Sequence, residues 1–217
     1  MQLRKDIKTE WSRQLAYAVG LITTDGNLAK DTRRITFVSK DLELVKTFSQ
    51  CLGINNKIST KRGGFTNSQI AYFVQFTNVK FYKFLLGIGL MPAKSKILKQ
   101  MEIPNKYFFD FLRGHFDGDG TFYSYWDKRW KSSFMFYLSF ASASLAHLVW
   151  LREKINELLG LKGELKKFPY GGVYKLNYAK REGLVVIKKM YLNCQNLRLE
   201  RKYKKVYNAL AINKKNL

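Results

Sequence analysis

Residues 109–122 read FDFLRGHFDGDGTF, and an earlier stretch, residues 17–28, YAVGLITTDGNL, repeats their skeleton. Aligning Gly20 with Gly114 brings Asp25 onto Asp119 and Gly26 onto Gly120 without a gap. Internal similarity at a fixed spacing marks a duplicated unit, so the chain divides into two copies of one architecture, residues 1–100 and 101–217. Each copy is an apolar segment that ends in Asp-Gly and leads into a strand-like run. Each carboxylate therefore belongs at the carboxyl end of a helix, where the helix dipole disfavours an anion by about 0.3–1 kcal/mol.

The pattern explains why such a placement is worth having. Gly20 with Thr24, and Gly114 with Gly118, are small residues four apart, so each pair lies on one helix face and lets another backbone come close. If the two faces meet, Asp25 and Asp119 become neighbours. Like charges forced together at two unfavourable helix ends do nothing for stability, but they suit a divalent cation with oxygen ligands. A lone Asp-Gly also serves as an ordinary helix stop with the glycine in the left-handed conformation. Two copies in register favour a site.

Residues 18–26, AVGLITTDG, and 112–120, LRGHFDGDG, resemble the two motifs of a single-chain LAGLIDADG homing endonuclease, and the layout matches over residues 15–209. The second motif is the fuller copy, with Gly114, Asp117, Asp119 and Gly120 in place. The first carries Thr23 and Thr24 where the family name spells Asp-Ala, yet keeps Asp25-Gly26. The resemblance implies an α+β fold, with a pseudo-twofold pair of αββαββα units forming a DNA-binding saddle. It further implies a monomer that makes metal-dependent double-strand breaks in DNA at a long recognition site. In that reading Asp25 and Asp119 hold Mg²⁺ or another divalent cation, backbone oxygens near Thr24 and Gly118 complete the set, and Gly20 and Gly114 form the interface of the motif helices. A basic residue in each half assists catalysis: Lys94, with Lys96 as the alternative, and Arg201 or Lys202. Asp117 is not a ligand. Proteins of this family also act as RNA-binding intron maturases, so host intron RNA is a second expected partner, and a DNA-binding module that has lost cleavage is a third reading.

The composition points the same way independently. Among 217 residues, 39 Lys and Arg against 16 Asp and Glu leave a net charge of +23, which calls for a polyanionic partner, nucleic acid before an anionic membrane. No apolar run approaches the roughly 20 residues of a spanning helix. The first residues, MQLRKDIKTEW, lack the apolar region of a secretory signal, so the expectation is an intracellular protein, in a bacterial or phage cytoplasm or an organelle. Cys51 and Cys194 are single and far apart, without metal-site spacing, and Cys51 falls on an apolar helix face. With only His115 and His147 present, a histidine metal site is disfavoured, and His115 is assigned to helix packing.

Site recognition falls to outward strand residues. After Gly26 the period becomes two: Arg34, Thr36 and Val38 alternate with Ile35, Phe37 and Ser39. Asp41 opens a helix that ends at Gly53. A hairpin then presents Lys57, Ser59 and Lys61 from one strand and Gln69, Phe73 and Gln75 from the next, with Ile70, Tyr72, Val74 and Phe76 as core. The second half repeats this with Tyr123 and Tyr125, then Ser133, Tyr137 and Ser139, then Lys166, Lys175 and Asn177. These are side chains that reach base edges or phosphates in a major groove.

Overall fold

The computed structural model describes residues 6–63, 69–130, 132–169, 171–192 and 194–215. The first half runs α1 (Arg13–Asp25), β1 (Gly26–Leu28), β2 (Arg34–Ser39), α2 (Leu42–Leu52), β3 (Ile58–Gly63), β4 (Gln69–Thr77) and α3 (Val79–Gly87). The second runs α4 (Phe108–Asp119), β5 (Thr121–Trp126), β6 (Phe134–Ser142), α5 (Leu145–Leu159), β7 (Glu164–Lys167), β8 (Tyr174–Ala179), α6 (Lys180–Tyr191) and α7 (Glu200–Lys215). Each half builds one antiparallel four-stranded sheet, in the orders β1-β2-β4-β3 and β5-β6-β8-β7. The duplication seen in the motifs thus extends to strand order.

The local causes are ordinary. Ser12 caps α1 by accepting the Leu15 N–H at 3.1 Å. Helices α2 and α5 stop at Gly53 and Gly160, whose φ values of 64° and 67° suit glycine. Along β6, Phe134, Phe136, Leu138 and Phe140 are buried while their alternates are half-buried, so one sheet face is covered and the other open. In the first half Phe37 of β2 stacks on Phe48 of α2 with centroids 4.4 Å apart, and Phe48 packs in turn on Phe76. Full burial of one such ring stabilises by roughly 1.5–3 kcal/mol, and Phe37→Ala would cost about 3–5 kcal/mol.

Three strand expectations shift. Val74 and Phe76 are core, but Ile70 is 52% exposed and Tyr72 half-buried. Ile70 pairs with Arg62 toward the hairpin tip, past the ring cluster that covers Phe76. Ser133 lies one residue ahead of β6, because it closes a loop: its N–H donates to the Trp130 carbonyl at 2.7 Å and its carbonyl accepts the Asp127 N–H at 2.9 Å. Lys57 likewise sits one residue ahead of β3. Gly64, Tyr170 and the side chain of Gln69 lie outside the described residues. Cys51 packs against the core, Cys194 is buried, and both are free thiols. Among the described residues no helix is long and apolar enough to cross a membrane.

Candidate metal site and nucleic-acid face

Helices α1 and α4 cross at their glycines. A Cβ on Gly20 would lie 2.1 Å from the Phe111 carbonyl oxygen, and one on Gly114 would lie 2.2 Å from that of Tyr17. Backbone therefore touches backbone, and neither position has room for any side chain. One turn further on, a Cβ on Gly118 would sit 1.9 Å from Thr24 Oγ1 and 3.0 Å from Asp25 Oδ2, so the end of α4 lies directly against the carboxylate that ends α1. Gly26 and Gly120 follow with φ of −87° and −74°, unlike the left-handed helix stops at Gly53 and Gly160. They are glycine for space: a Cβ there would meet Ile22 and Phe116 at 2.6 Å and 2.3 Å.

Asp25 and Asp119 accept no hydrogen bond from any described protein donor. Burial, and next the neighbouring Asp119, push the Asp25 carboxyl up to about 7. Burial also raises Asp119, while the ammonium groups of Lys202 and Lys94 pull both down. Asp117 contrasts with the pair: its Oδ2 accepts the Tyr17 hydroxyl at 2.7 Å and the Leu199 N–H at 2.8 Å, so it ties α4 to α1 and to the approach to α7. Burial pushes its carboxyl up to about 6. Its counterpart Thr23 is a helix residue that donates to the Val19 carbonyl at 2.8 Å.

Two buried lysines face the helix ends. Lys94, in a single 3₁₀ turn at Lys94–Lys96, donates to the Gly26 carbonyl. Lys202 of α7 reaches four carbonyls at the end of α4: Phe116 at 2.6 Å, Asp117 at 2.9 Å, Gly118 at 3.0 Å and Gly120 at 2.7 Å. An ammonium has three protons, so those four oxygens share them. The positive charge lies where the helix dipole is negative, which offsets the cost of a terminal carboxylate. Burial pushes both lysines down to about 8. Of the two basic residues expected in the second half, Lys202 stands at the motif, while Arg201 turns away to Asp41 at 2.7 and 2.8 Å. The carbonyl of Gly118 is already taken by Lys202, and a second cation there would meet that ammonium. Lys96 is exposed and Lys94 buried, so of the two it is Lys94 that lies against the end of α1.

No known family profile matches the sequence, and no curated protein matches it. Solved structures do. I-SmaMI bound to an uncleaved DNA target in the presence of calcium ions matches at TM-score 0.60 and 13% identity, over 95% of this chain and 93% of its own. I-DmoI in complex with DNA and Mn matches at TM-score 0.54 and 19% identity, over 83% and 97%. Full-length DUF199/WhiA from Thermotoga maritima matches at 0.58 and 12%, over 92% of this chain, which spans only 61% of that protein's length. The fold is the LAGLIDADG saddle. At these identities the likeness concerns the fold.

The open sheet faces of the LAGLIDADG saddle carry most of the residues expected to meet DNA. In the first half Arg34, Lys57, Lys61 and Gln75 are exposed and Thr36, Ser59 and Phe73 half-buried; Thr36 donates to Gln75 across β2 and β4 at 3.3 Å. At the equivalent place in the second half Ser139 donates to Asn177 across β6 and β8 at 2.5 Å. Otherwise the faces differ. Tyr123 stacks on Tyr125 at 5.3 Å and Tyr125 on Tyr137 at 6.5 Å, Lys166 pairs with Glu164 at 2.9 Å, and Lys175 lies over the Phe168 ring at 4.2 Å.

The histidines were only half legible. His115 and His147 stack at 5.3 Å in the core, and His147 Nδ1 lies 3.0 Å from the Lys99 carbonyl, which makes Nδ1 the protonated nitrogen. Burial lowers both, His147 to about 4, so both are neutral. They line a cavity of about 280 Å³ with Thr23, Thr24, Lys94, Ser95 and Asp119. The sequence signals no meeting between residues 115 and 147, and neither the Asp41–Arg201 pair nor the Lys202 clamp has a local pattern.

Proposed function

We propose that this protein is a site-specific DNA endonuclease that makes metal-dependent double-strand breaks. The observation that carries the reading is the pair Asp25 and Asp119: a half-buried and an exposed carboxylate at touching helix ends, left without a hydrogen-bond donor among the described residues, with a buried lysine beside each. Among the described residues no group of three His, Cys, Asp or Glu comes together as a metal cage. Two carboxylates fit a hard cation that takes its remaining ligands from water and phosphate, Mg²⁺ above all, and the Thr24 carbonyl is the protein oxygen left to join them. Bound there, such an ion supplies an activated water and neutralises charge on the attacked phosphate.

The chain's own residues do the rest. The two open sheet faces, with Arg34, Lys57 and Lys61 on one and Lys175 on the other, hold the duplex backbone across the seam. Asp25 and Asp119, related by the pseudo-twofold, serve one strand each. Lys94 and Lys202, pushed down to about 8, bring positive charge to the attacked phosphate and are poised to exchange a proton near neutral pH. The protein acts as a monomer inside the cell, because a single chain already supplies both carboxylates and both faces.

The test is a randomised duplex library incubated with the protein, with and without Mg²⁺ or Mn²⁺, followed by sequencing of cut ends. Cleavage at one recurring long site, absent with chelator and absent in Asp25→Asn, supports the reading. Tight, salt-sensitive duplex binding with no cut ends under any metal overturns it in favour of a DNA-binding module, and preference for structured RNA over duplex DNA overturns it in favour of a maturase.

A further inference from the structure

The residues that open α2 and α5 occupy equivalent places in the two halves, yet neither acts only on its own helix. Asp41 opens α2 and its carboxylate caps nothing; both oxygens go to the guanidinium of Arg201, at 2.8 and 2.7 Å, in the forked geometry that Arg and carboxylate favour. Ser144 opens α5 and does cap, accepting the His147 N–H at 3.4 Å, but its hydroxyl also donates to the carbonyl of Leu98. Three residues along, His147 donates to the carbonyl of Lys99. Each contact runs from one half to the segment that carries the other half's lysine. Arg201 adjoins Lys202. Leu98 and Ile97 both donate their N–H to the Lys94 carbonyl, at 2.9 and 3.0 Å.

We propose that Asp41, through Arg201, positions Lys202, and that Ser144 and His147, through Leu98 and Lys99, position Lys94, so that each half aims the lysine of the other. The inference rests on the endonuclease reading for its purpose, though not for its geometry. Lys94 needs such help: its turn is one 3₁₀ turn long, and Ala93 before it stands at φ 54°, a conformation that persists only where the surroundings impose it. The buried stack of His147 on His115 fixes the ring that presents its Nδ1–H to Lys99. The Asp41–Arg201 pair is partly exposed, with side chains 23% and 56% accessible, and such pairs contribute about 0–1 kcal/mol to stability. Its removal leaves the fold intact, and any effect on Lys202 is then readable.

The test labels the amines of metal-free, DNA-free protein with an acylating reagent and reads each lysine by mass spectrometry. Asp41→Asn raises the labelling rate of Lys202 by about threefold or more through local opening and leaves Lys94 unchanged. Ser144→Ala and His147→Leu do the reverse, and His147→Asn, which keeps an N–H near the place of Nδ1, restores the parental rate. Should Ser144→Ala unfold, the two His147 variants carry the comparison. Equal labelling of both lysines in every variant, or changes on the wrong lysine, overturns the proposal. Strand-resolved cleavage then connects the latch to function: Asp41→Asn shares the strand bias of Lys202→Met, and His147→Leu shares that of Lys94→Met. The expected labelling with no cleavage by the parent protein leaves the positioning intact and removes the endonuclease reading instead.

Discussion

The end of α1 and the end of α4 do the same thing with different supports. Both finish in a carboxylate without a donor among the described residues, half-buried at Asp25 and exposed at Asp119, both are followed by an extended glycine, and both face a buried lysine. Yet Lys202 grips four carbonyls and Lys94 one, and Asp117 ties α4 to Tyr17 and Leu199 where Thr23 bonds back to Val19 in its own helix and to the Met101 sulfur. The sheet faces diverge further, with exposed cations and an amide on one and a tyrosine ladder on the other. Beyond the common strand order, the glycine stops of α2 and α5 and one cross-strand pair, what the halves share is concentrated at the seam. Packing and capping were free to take different solutions in each half, so it is the chemistry at the seam that required sameness.

The largest expected effect tests the two faces together. Duplex affinity should fall roughly 10³- to 10⁵-fold between 50 and 200 mM salt if about six to ten phosphates are contacted. Neutralising Arg34, Lys57 or Lys61 should each lower the salt slope by about one, while Tyr125→Phe leaves it unchanged. A flat salt response measured by fluorescence anisotropy would remove the nucleic-acid face altogether. Next come the carboxylates: Asp25→Asn and Asp119→Asn should each reduce double-strand cleavage on the order of 10³-fold without unfolding, whereas Asp117→Asn keeps an oxygen for Tyr17 and Leu199 and loses less than about tenfold. Loss of cleavage in Asp117→Asn with Asp119→Asn near the parent would show that the motif has been read two residues out of register.

The seam itself should be symmetric in stability. Gly20→Ala and Gly114→Ala each force a Cβ into a backbone carbonyl, and each should cost about 3 kcal/mol or more, seen as a comparable fall in Tm. A tolerated substitution at either one would mean that the helices do not touch there. The smallest effect concerns Asp25 in metal-free protein. Its carboxyl stands at 3.8 unfolded and about 7 folded, so the folded state holds a proton that the unfolded state lacks between those values. The resulting stability is present below about 4 and lost as pH rises through 7. Asp25→Asn should therefore be more stable than the parent at pH 8, by ~1–4 kcal/mol, with the difference vanishing near pH 4. Thermal melts in chelator that coincide at pH 8 would contradict the crowding of the two carboxylates.

What could be read without coordinates was whatever repeats or alternates. The glycine faces of α1 and α4, the duplicated succession of helices and strands along the chain and the buried alternates of β2 and β6 all follow from periods of 3.6 and 2. What could not be read depends on direction at a single residue or on partners far along the chain. Arg201 and Lys202 are adjacent and equally basic, but one step along α7 turns one toward Asp41 and the other into the α4 carbonyls. Asp41 announces a helix cap and then leaves it for a partner 160 residues away. Ile70 fits the apolar alternation of β4 but lies beyond the ring cluster that covers the rest. A sequence shows that a position is apolar; only the packed layers show where the cover ends.

The Lys202 clamp also sets an order of events during synthesis. When a ribosome has made the first 200 residues, both sheets, the glycine seam and both carboxylates exist, but the cation that balances the end of α4 does not. A chain at that stage carries the pair of acids with Lys94 but without Lys202 beside them. A chain cut short by a stop codon ahead of Lys202 would lack the ammonium that gathers the carbonyls at the end of α4, while keeping both sheets and both carboxylates.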